Sequence, residues 1–403
     1  MCIILPQKVR SIIAILNQSG YLAHAVGGCV RDLIMGKEPC DWDIATSATP
    51  DQVKNMFKKT WDTGLKHGTV TVNYEGQICE ITTWRKDIGT IDHRHPEQVE
   101  FTNSLFLDLS RRDFTMNALA FHPDEGITDY FHGIEDINGK VIRSVGDPLQ
   151  RFSEDALRML RAIRFSAQLD FGIESQTNAA IKAHHADISY ISFERIQCEI
   201  NKILQSTHPE LLSLIWETGL ASHIFPGIEG KKEILYKMHP YWPSPFESRV
   251  ALLSLLFFHS CAKSSKETAS FLLERLKYDN ATIVSVINTL SALTDIQHPT
   301  QRNLHKAAHA HGNLAANLAQ HILYSGVNDG NDCLISDETT LNLSGNDLLN
   351  IGLTQGMELG QILSILCLCI FEKPELNEKE TLLLLAKEIY RKIPYIKNKT
   401  AGD

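Results

Sequence analysis

One short stretch near the start of the chain, VGGCVRDLIMGKEPCDWDIAT, combines a glycine pair, an arginine and two aspartates. Residues two apart on a strand project to the same face, so Asp41 and Asp43 would present two carboxylates side by side, with Trp42 in the opposite layer. Such oxygen ligands suit Mg²⁺, which keeps waters and substrate phosphates in its coordination shell. Taken alone, the same pattern is also typical of a solvated turn.

The glycine pair, Gly27 and Gly28, falls where a predicted strand passes into a predicted helix. Without side chains, backbone N–H groups can approach a phosphate closely, and the N-terminus of the helix adds a favourable dipole. Arg31, one turn into that helix, could reach the same anion. Together with the aspartates, these residues predict a site where a phosphate meets a hard cation.

Two further polar groups could join this site. Glu80 lies on a predicted hairpin strand and could bring a third carboxylate, although a glutamate on the wet face of a strand is commonplace. The segment DLSRRDFTMNALAF supplies a compact polar block ahead of an apolar stretch that we predict to be helical. A helix start with surface arginines remains the alternative for this block, whose members are Arg111, Arg112, Asp113 and Asn117.

The segment RFSEDALRMLRAIRF predicts a single helix capped by Ser153. Its Asp155, Arg158, Arg161 and Arg164 form a stripe at three-residue spacing. Ion pairing on a solvated face is one interpretation, worth a few tenths of a kcal/mol per pair. Base recognition is the other, because an aspartate that accepts from an amino group and an arginine that donates to a ring nitrogen suit cytosine and adenine. The spacing leaves both open.

The elements that must position these residues follow from periodicity and turn signals. Helical periodicity covers residues 7–18, YLAHAV predicts a strand, the capping box at 49–52 begins a helix, and TVTVNYEGQICEITTW predicts a hairpin that turns at Glu75 and Gly76. The first 150 residues are therefore mixed α/β, and long amphipathic helices follow. We predict an α+β fold.

The composition excludes several classes of protein. Of 403 residues, 43% are hydrophobic and 22% charged, as in ordinary folded domains. A net charge of −9 argues against a nonspecific nucleic-acid coat, which needs a broad basic surface. The nine cysteines include no C-x-x-C pair, which favours reduced thiols over zinc. Neither a signal peptide nor a membrane span is recognisable, so we expect a cytoplasmic protein without a membrane partner.

In chain order, the motifs resemble those of class II CCA-adding enzymes, the bacterial-type tRNA nucleotidyltransferases related to bacterial poly(A) polymerases. GGCVRDLIMGKEPCDWDIATSATP resembles their metal and phosphate motif, and RRDFTMNALA their ribose motif. DYFHGIEDINGKVIRSVGDP resembles the connecting D-x-x-x-G motif. RFSEDALRMLRAIRF is similar to the base-selecting helix, and ISFERIQCEINKIL to the helix that braces it.

The resemblance implies a role for each candidate residue. Asp41 and Asp43 would hold magnesium ions, with Glu80 as a third catalytic carboxylate. One Mg²⁺ would activate the tRNA 3′-hydroxyl, the other would steady the triphosphate, and pyrophosphate would leave. Asp155 and Arg158 would read the base. The residues implied to bind the nucleotide are Gly27, Gly28, Arg31, Arg112, Asp113, Asp155, Arg158, Arg161 and Arg164.

The resemblance also implies a seahorse-like arrangement of four parts. These are a nucleotidyltransferase head over residues 1–150, a neck with the base-selecting helix over 151–205, a body over 206–310 and a tRNA-binding tail over 311–403. CTP and ATP would be the substrates, and tRNA the partner through its 3′ end and acceptor arm, with the oligomeric state left open. RKDIGTIDHRHPEQVEF stands where the family has a flexible loop, which favours full CCA or A addition over CC addition.

Three alternatives remain. A poly(A) polymerase shares the head motifs, a partial adder would add only CC or only A, and an idle RNA-binding scaffold would keep the fold without the chemistry. The brace helix follows the tRNA-enzyme pattern, which disfavours the polymerase. A scaffold needs no carboxylate pair and base reader together. We therefore predict template-independent addition of C, C and A to the 3′ end of tRNA.

Overall fold

The structure, a computed structural model, forms two compact units over residues 1–235 and 236–403. It describes residues 4–64, 67–88, 98–230, 244–260, 265–296, 301–324, 341–352, 359, 362–363, 365–366, 369–370 and 373–399. The middle of the predicted loop motif, residues 89–97, lies outside these ranges. The four-part division of the chain stays a prediction.

A seven-stranded mixed sheet forms the framework of the first unit. The strands in chain order are β1 (Ala23–Val26), β2 (Asp43–Thr46), β3 (Thr60–Gly64), β4 (Thr69–Tyr74), β5 (Gln77–Thr83), β6 (Arg85–Ile88), β7 (Gln98–Phe101), β8 (Leu119–His122) and β9 (Gly126–Asp129). In space the sheet runs β3-β4-β5-β2-β1-β8-β9, while β6 and β7 form a separate two-stranded sheet. Within the large sheet β2 and β5 run parallel, and its other neighbours are antiparallel.

Several predicted elements of this part are confirmed. The first helix, α1, has the predicted bounds, and the capping box at Thr49 and Gln52 starts α3. The hairpin of β4 and β5 turns through Glu75 and Gly76, which both have positive φ. The helices here are α1 (Gln7–Gln18), α2 (Gly28–Ile34), α3 (Pro50–Met56), α4 (Leu105–Ser110) and α5 (Gly133–Asn138).

The helix predicted after the polar block RRDFTMN is wrong. That block ends in a 3₁₀ turn at Thr115–Asn117, and the apolar residues after it form β8. The strand pairs with β1 on one side and β9 on the other. Because short apolar runs suit buried strands and buried helices equally, the sheet partners decide the outcome.

The single helix predicted over RFSEDALRMLRAIRF is also wrong, because two helices meet there. Asp147 caps the first, α6 (Pro148–Glu154), by accepting from the N–H of Leu149 at 3.0 Å, so Ser153 lies inside this helix. Asp155 is extended (φ −145°, ψ 101°), and α7 (Leu157–Leu169) follows. The Asp155 carboxylate accepts from the N–H of Leu157 at 3.2 Å, which helps to begin the second helix.

The D-x-x-x-G motif has a structural role at the end of β9. The Asp129 carboxylate accepts from the N–H groups of Gly133 and Ile134, each at 2.9 Å, and so caps α5. A Cβ atom on Gly133 would overlap the carbonyl oxygen of Thr115. The glycine therefore lets α5 pack directly on the turn that carries the polar block.

We expect Gly133→Ala to lower the free energy of unfolding by about 2 to 3 kcal/mol, because backbone must move to relieve the overlap. Urea denaturation followed by circular dichroism measures this. Gly139→Ala is the matched control, since a Cβ there meets its nearest neighbour at an ordinary 3.4 Å. Equal stability of the two variants would contradict the proposed packing role of Gly133.

The rest of the first unit is mainly helical. Its elements are β10 (Val141–Ile142) and β11 (Gly172–Ile173), which pair in parallel, and the helices α8 (Ser175–His184), α9 (Phe193–Leu204), α10 (Leu214–Glu217) and α11 (Ala221–Ile224). Helix α7 packs against α9. Between them lies a buried ion pair, Arg164 Nε to Glu199 Oε2 at 2.9 Å. This pair links α7 to its neighbour.

The described part of the second unit is helical. Its helices are α12 (Pro245–Ser260), α13 (Ser265–Arg275), α14 (Asn280–Asp295), α15 (Gln301–His311), α16 (Asn313–Tyr324), α17 (Gly345–Asn350) and α18 (Lys379–Lys399). The first part of the chain combines a sheet with helices, and the described part after it is helical. This arrangement confirms the α+β prediction. In the ranges described, no helix has the length and apolar character that crossing a membrane requires.

Candidate active site

A cleft of about 750 Å³ in the first unit gathers all the candidate residues predicted from the sequence. Nine basic and six acidic side chains line it, so its walls are positive although the chain carries a net charge of −9. Such a cleft concentrates anionic ligands. The predicted residues found in its lining are Gly27, Gly28, Arg31, Asp41, Asp43, Glu80, Arg112, Asp113, Asp155, Arg158, Arg161 and Arg164.

The carboxylates lie at the centre of the sheet. Strand β2 begins at Asp43, and Asp41 precedes the strand rather than lying on it. Trp42 between them is buried, as predicted. Asp43 and Glu80 are directly opposite each other on the parallel strands β2 and β5, so their side chains project to the same face.

The electrostatics of Asp43 favour a cation beside it. Burial raises the pKa of Asp43 to about 6, Arg112 acts in the opposite direction, and the charges of Glu80 and Asp41 raise the pKa further. A divalent cation would offset this accumulation of negative charge, and carboxylate oxygens are the donors that Mg²⁺ prefers. Among the described residues no group of three or more His, Cys, Asp or Glu forms a metal site. A cation beside Asp43 would need water and substrate oxygens to complete its coordination shell.

Gly27, directly after β1, lets the Arg112 side chain come close to the backbone. Its φ is +79°, and a Cβ atom there would stand 2.8 Å from Arg112 Nη1 and 3.9 Å from Asp43 Oδ2. The missing side chain thus makes room for the Arg112 guanidinium beside the Asp43 carboxylate. Gly28 begins α2, and its Cβ position is 3.7 Å from Arg31 Nη2.

A chain of hydrogen bonds joins α2, the polar block and α7. Arg31 Nη1 donates to Asn117 Oδ1 at 2.8 Å, and Asn117 Nδ2 donates to Asp113 Oδ1 at 3.1 Å. Arg161 Nε then donates to Asp113 Oδ2 at 2.8 Å. Arg31, Asp113 and Asn117 are all buried, so each side chain is held in one position.

The charged side chains around Asp113 keep their charges at neutral pH. Burial raises the pKa of Asp113, but the Arg161 charge and hydrogen bond, with Arg158 and Asn117, hold it well below its usual range. Burial lowers the pKa of Arg164 to about 10, with the nearby Arg161 charge acting in the same direction. Asp113 is therefore anionic and Arg164 cationic when the cleft meets a ligand.

Asp155 and Arg158 stand at the start of α7, each oriented by a neighbour. Arg195 Nη2, from α9, donates to Asp155 Oδ2 at 3.0 Å. Arg158 Nη2 donates to the carbonyl oxygen of Arg111 at 2.8 Å, and Arg158 Nη1 lies 3.4 Å from Glu154 Oε2. One acceptor and one donor thus border the cleft close together, as reading a base edge requires.

Several cleft residues were not among the predicted site residues, and three of them carry polar or charged side chains that matter here. Asn117 belongs to the polar block and links Arg31 to Asp113. Arg195 and Lys202 reach the cleft from α9. The two are seven residues apart, which places them on one face of a helix, so basic residues at this spacing in ISFERIQCEINKIL were the available signal.

Several known proteins are similar to this chain in sequence or structure. Residues 23–143 match the family model described as the poly A polymerase head domain, and residues 170–231 the model described as a probable RNA and SrmB-binding site of polymerase A. The CCA-adding enzyme of Lactobacillus gasseri is 38% identical over 372 residues, covering 89% of this chain and 92% of that protein. The CCA-adding enzyme of Lactiplantibacillus plantarum is 37% identical over 398 residues, covering 95% and 96%.

Two solved structures extend the likeness to three dimensions. The Thermotoga maritima CCA-adding enzyme complexed with tRNA has a TM-score of 0.68 at 20% identity, covers 96% of each chain and shares the fold. The crystal structure of the Bacillus stearothermophilus CCA-adding enzyme in complex with CTP has a TM-score of 0.76 at 32% identity, covering 98% of this chain and 100% of that one. With the near full-length relatives, these findings show that the chain belongs to the CCA-adding enzyme family.

Proposed function

We propose that this chain adds C, C and A to the 3′ end of tRNA, taking the nucleotides from CTP and ATP without a template and releasing pyrophosphate. One observation carries the proposal: a single cleft holds the carboxylates of Asp41 and Asp43, several arginines and the pair Asp155 and Arg158. Relatives support it, since the Bacillus stearothermophilus structure holds CTP and the Thermotoga maritima structure holds tRNA.

The anionic part of the nucleotide lies against the basic wall near β1 and β8. Gly28 and Arg31 take the phosphates, and Arg112 and Asp113 contact the nucleotide near phosphate and ribose. The space at Gly27, which admits the Arg112 guanidinium, supports this placement. Arg161 and Arg164 extend the same face along α7, and Gly27, Asp155 and Arg158 complete the proposed set of nucleotide-binding residues.

Asp41 and Asp43 would hold Mg²⁺, with Glu80 as the third carboxylate. When bound, magnesium supplies positive charge that stabilises phosphoryl transfer and lowers the pKa of an attacking hydroxyl. Asp43 is fully available as a ligand only when ionised, above its pKa of about 6. The low pKa of Asp113 keeps that carboxylate ionised, and so able to accept a hydrogen bond from a hydroxyl of the nucleotide, across the same pH range.

Base choice follows from donors and acceptors. Cytosine and adenine each present an amino group beside an unprotonated ring nitrogen, which match the Asp155 carboxylate and the Arg158 guanidinium. Uracil and guanine present a carbonyl beside an N–H, so both contacts would be opposed. A site that leaves buried polar groups unpaired rejects the wrong ligand strongly.

The remaining parts of the chain would serve the same task. We retain the division into head, neck, body and tRNA-binding tail over residues 1–150, 151–205, 206–310 and 311–403. A protein that acts on tRNA works where tRNA is, so the cytoplasm remains the proposed compartment. The tRNA 3′ end and acceptor arm remain the proposed contacts.

Incubating the purified chain with Mg²⁺, a tRNA that lacks its 3′ end, and all four ribonucleotides tests this function. We expect sequencing of the products to show C, C and A added in order, with UTP and GTP ignored. A run of adenosines would support a poly(A) polymerase, and a halt at CC or a requirement for a CC end would support a partial adder. If the chain does not extend the tRNA at all, the enzymatic proposal is refuted.

A further inference from the structure

Beyond the carboxylates, the same face of the sheet continues to an exposed tryptophan. Direct strand pairing places Asp43 opposite Glu80, Glu80 opposite Thr71, and Thr71 opposite Trp61. These four residues form one row across β2, β5, β4 and β3, on the face opposite to buried Val70. Trp61 is 48% exposed at the edge of the sheet. Nothing in the nucleotide site uses this end of the row.

Strand β2 divides two unlike halves of the sheet. On one side of Asp43, the proposed phosphate and ribose contacts follow β1 or precede β8; they are Gly28, Arg31, Arg112 and Asp113. Strands β5, β4 and β3 lie on the other side. In phosphoryl transfer the attacking and leaving oxygens lie roughly in line on opposite sides of phosphorus. With the triphosphate over β1 and β8, the attacking 3′-hydroxyl must therefore approach from the side of β5.

The approach side carries groups that suit a nucleic-acid strand. Thr69 and Thr82 line the cleft with their hydroxyl oxygens 3.0 Å apart, and the Thr63 and Thr71 hydroxyls are 2.7 Å apart farther out. Hydroxyls can both donate to phosphate oxygens and accept from ribose hydroxyls.

Basic residues accompany the aromatic side chain at the end of the row. Two exposed lysines, Lys58 and Lys59, lie just before β3 and Trp61. An aromatic side chain next to basic residues is the composition of sites that bind single strands without reading their sequence, because every base has a face that can stack.

We propose that the face of β3, β4 and β5 that carries this row guides the 3′-terminal nucleotides of the RNA primer, with Trp61 stacking on one of the bases. This inference rests on the proposed function, which supplies the primer. Trp61 lies three strand spacings from Asp43, or about 14 Å. A stacked strand advances about 3.4 Å per nucleotide, so Trp61 would meet the base about four nucleotides from the reacting end.

Steady-state kinetics test this surface with an RNA hairpin whose single-stranded 3′ tail is about five nucleotides long and ends in CC, so that the fourth base is free to stack. We expect Trp61→Ala to raise the KM for the RNA about tenfold, within the range that base stacking on an aromatic side chain accounts for. The kcat at saturating RNA and the KM for ATP should not change. Trp61→Phe should restore most of the RNA affinity, whereas Tyr190→Ala, which removes an aromatic side chain that is 60% exposed elsewhere, should leave it unaltered.

Binding of the same labelled hairpin in EDTA, followed by fluorescence anisotropy, separates this surface from the proposed activity. We expect the Kd of Trp61→Ala to rise about tenfold without any turnover. A wild-type chain that binds the hairpin through Trp61 but never extends it would refute the proposed function alone. An active enzyme whose Trp61→Ala variant binds RNA normally would refute the surface alone. Loss of self-association in that variant, with RNA binding intact, would instead assign Trp61 to a protein contact and overturn the proposal.

Discussion

Asp43→Asn is expected to abolish nucleotidyl transfer from CTP and from ATP alike, lowering kcat/KM at least about 1,000-fold, or about 4 kcal/mol. The variant keeps the shape of the side chain but removes the negative charge that faces Glu80 and Asp41. Because the same carboxylate serves every nucleotide, the loss should not depend on the base. Primer extension with each nucleotide separately measures it.

The same variant should be more stable than the wild type in EDTA. Asp43 has an ordinary pKa of about 3.9 when unfolded and about 6 when folded, so between about pH 4 and 6 the folded state holds a proton that the unfolded chain has lost. The free energy of unfolding therefore falls as pH rises through that window and stays lower above it. At pH 7.5 we expect Asp43→Asn to recover about 1 to 2 kcal/mol and to flatten this dependence.

The stability measurement also shows whether the variant is inactive because it is unfolded, since a variant more stable than the wild type must be folded. Asp62→Asn, at an exposed position on β3, makes the same chemical change and should leave both transfer and stability within experimental error. Normal turnover by Asp43→Asn would refute the metal-binding assignment.

Arg158→Ala should relax base choice without abolishing transfer. In the proposed base recognition, the guanidinium beside Asp155 would donate to the ring nitrogen of cytosine or adenine and would oppose the N–H of uracil or guanine. Loss of the guanidinium removes both the attraction to cytosine and adenine and the repulsion of uracil and guanine. We expect incorporation of UTP relative to CTP to rise about 10- to 100-fold, since such a contact is worth about 1 to 3 kcal/mol of discrimination. Competition assays with mixed nucleotides measure the ratio.

Arg10→Ala on α1 is the control for this experiment, because it removes the same charge from an exposed position. It should leave the ratio of UTP to CTP unchanged. Arg195→Ala should give an intermediate ratio, since Arg195 orients the Asp155 carboxylate from α9. An Arg158→Ala enzyme that still rejects UTP as well as the wild type would show that the base is read elsewhere.

The sequence predicted which residues line the cleft better than it predicted the helices and strands that carry them. Each predicted site residue lines the cleft. Local signals place several of them, since Gly27 and Gly28 lie at a strand-to-helix junction and Glu80 lies on a hairpin strand. Capping and turn chemistry act over a few residues, so the bounds of α1, the start of α3 and the turn at Glu75 were predictable.

Features that depend on distant partners were not predictable. The apolar run after Asn117 became β8 because β1 and β9 pair with it. Asp147 caps the start of α6, and this helix ends just before Asp155. The segment predicted as one helix is divided at that residue. Arg195 lies forty residues after Asp155 in the chain and meets it only through the packing of α7 against α9.

The chain of hydrogen bonds through Asn117 has a consequence for fidelity. Its amide can accept from Arg31 and donate to Asp113 at the same time in only one orientation. Arg161 fixes the far end of this chain of hydrogen bonds to α7. If Arg31 binds the phosphates and Asp113 the sugar, as we propose, the two contacts would be coupled through Asn117, and the coupling free energy would act equally in both directions. Discrimination would then be a joint property of the whole nucleotide instead of a sum of independent contacts.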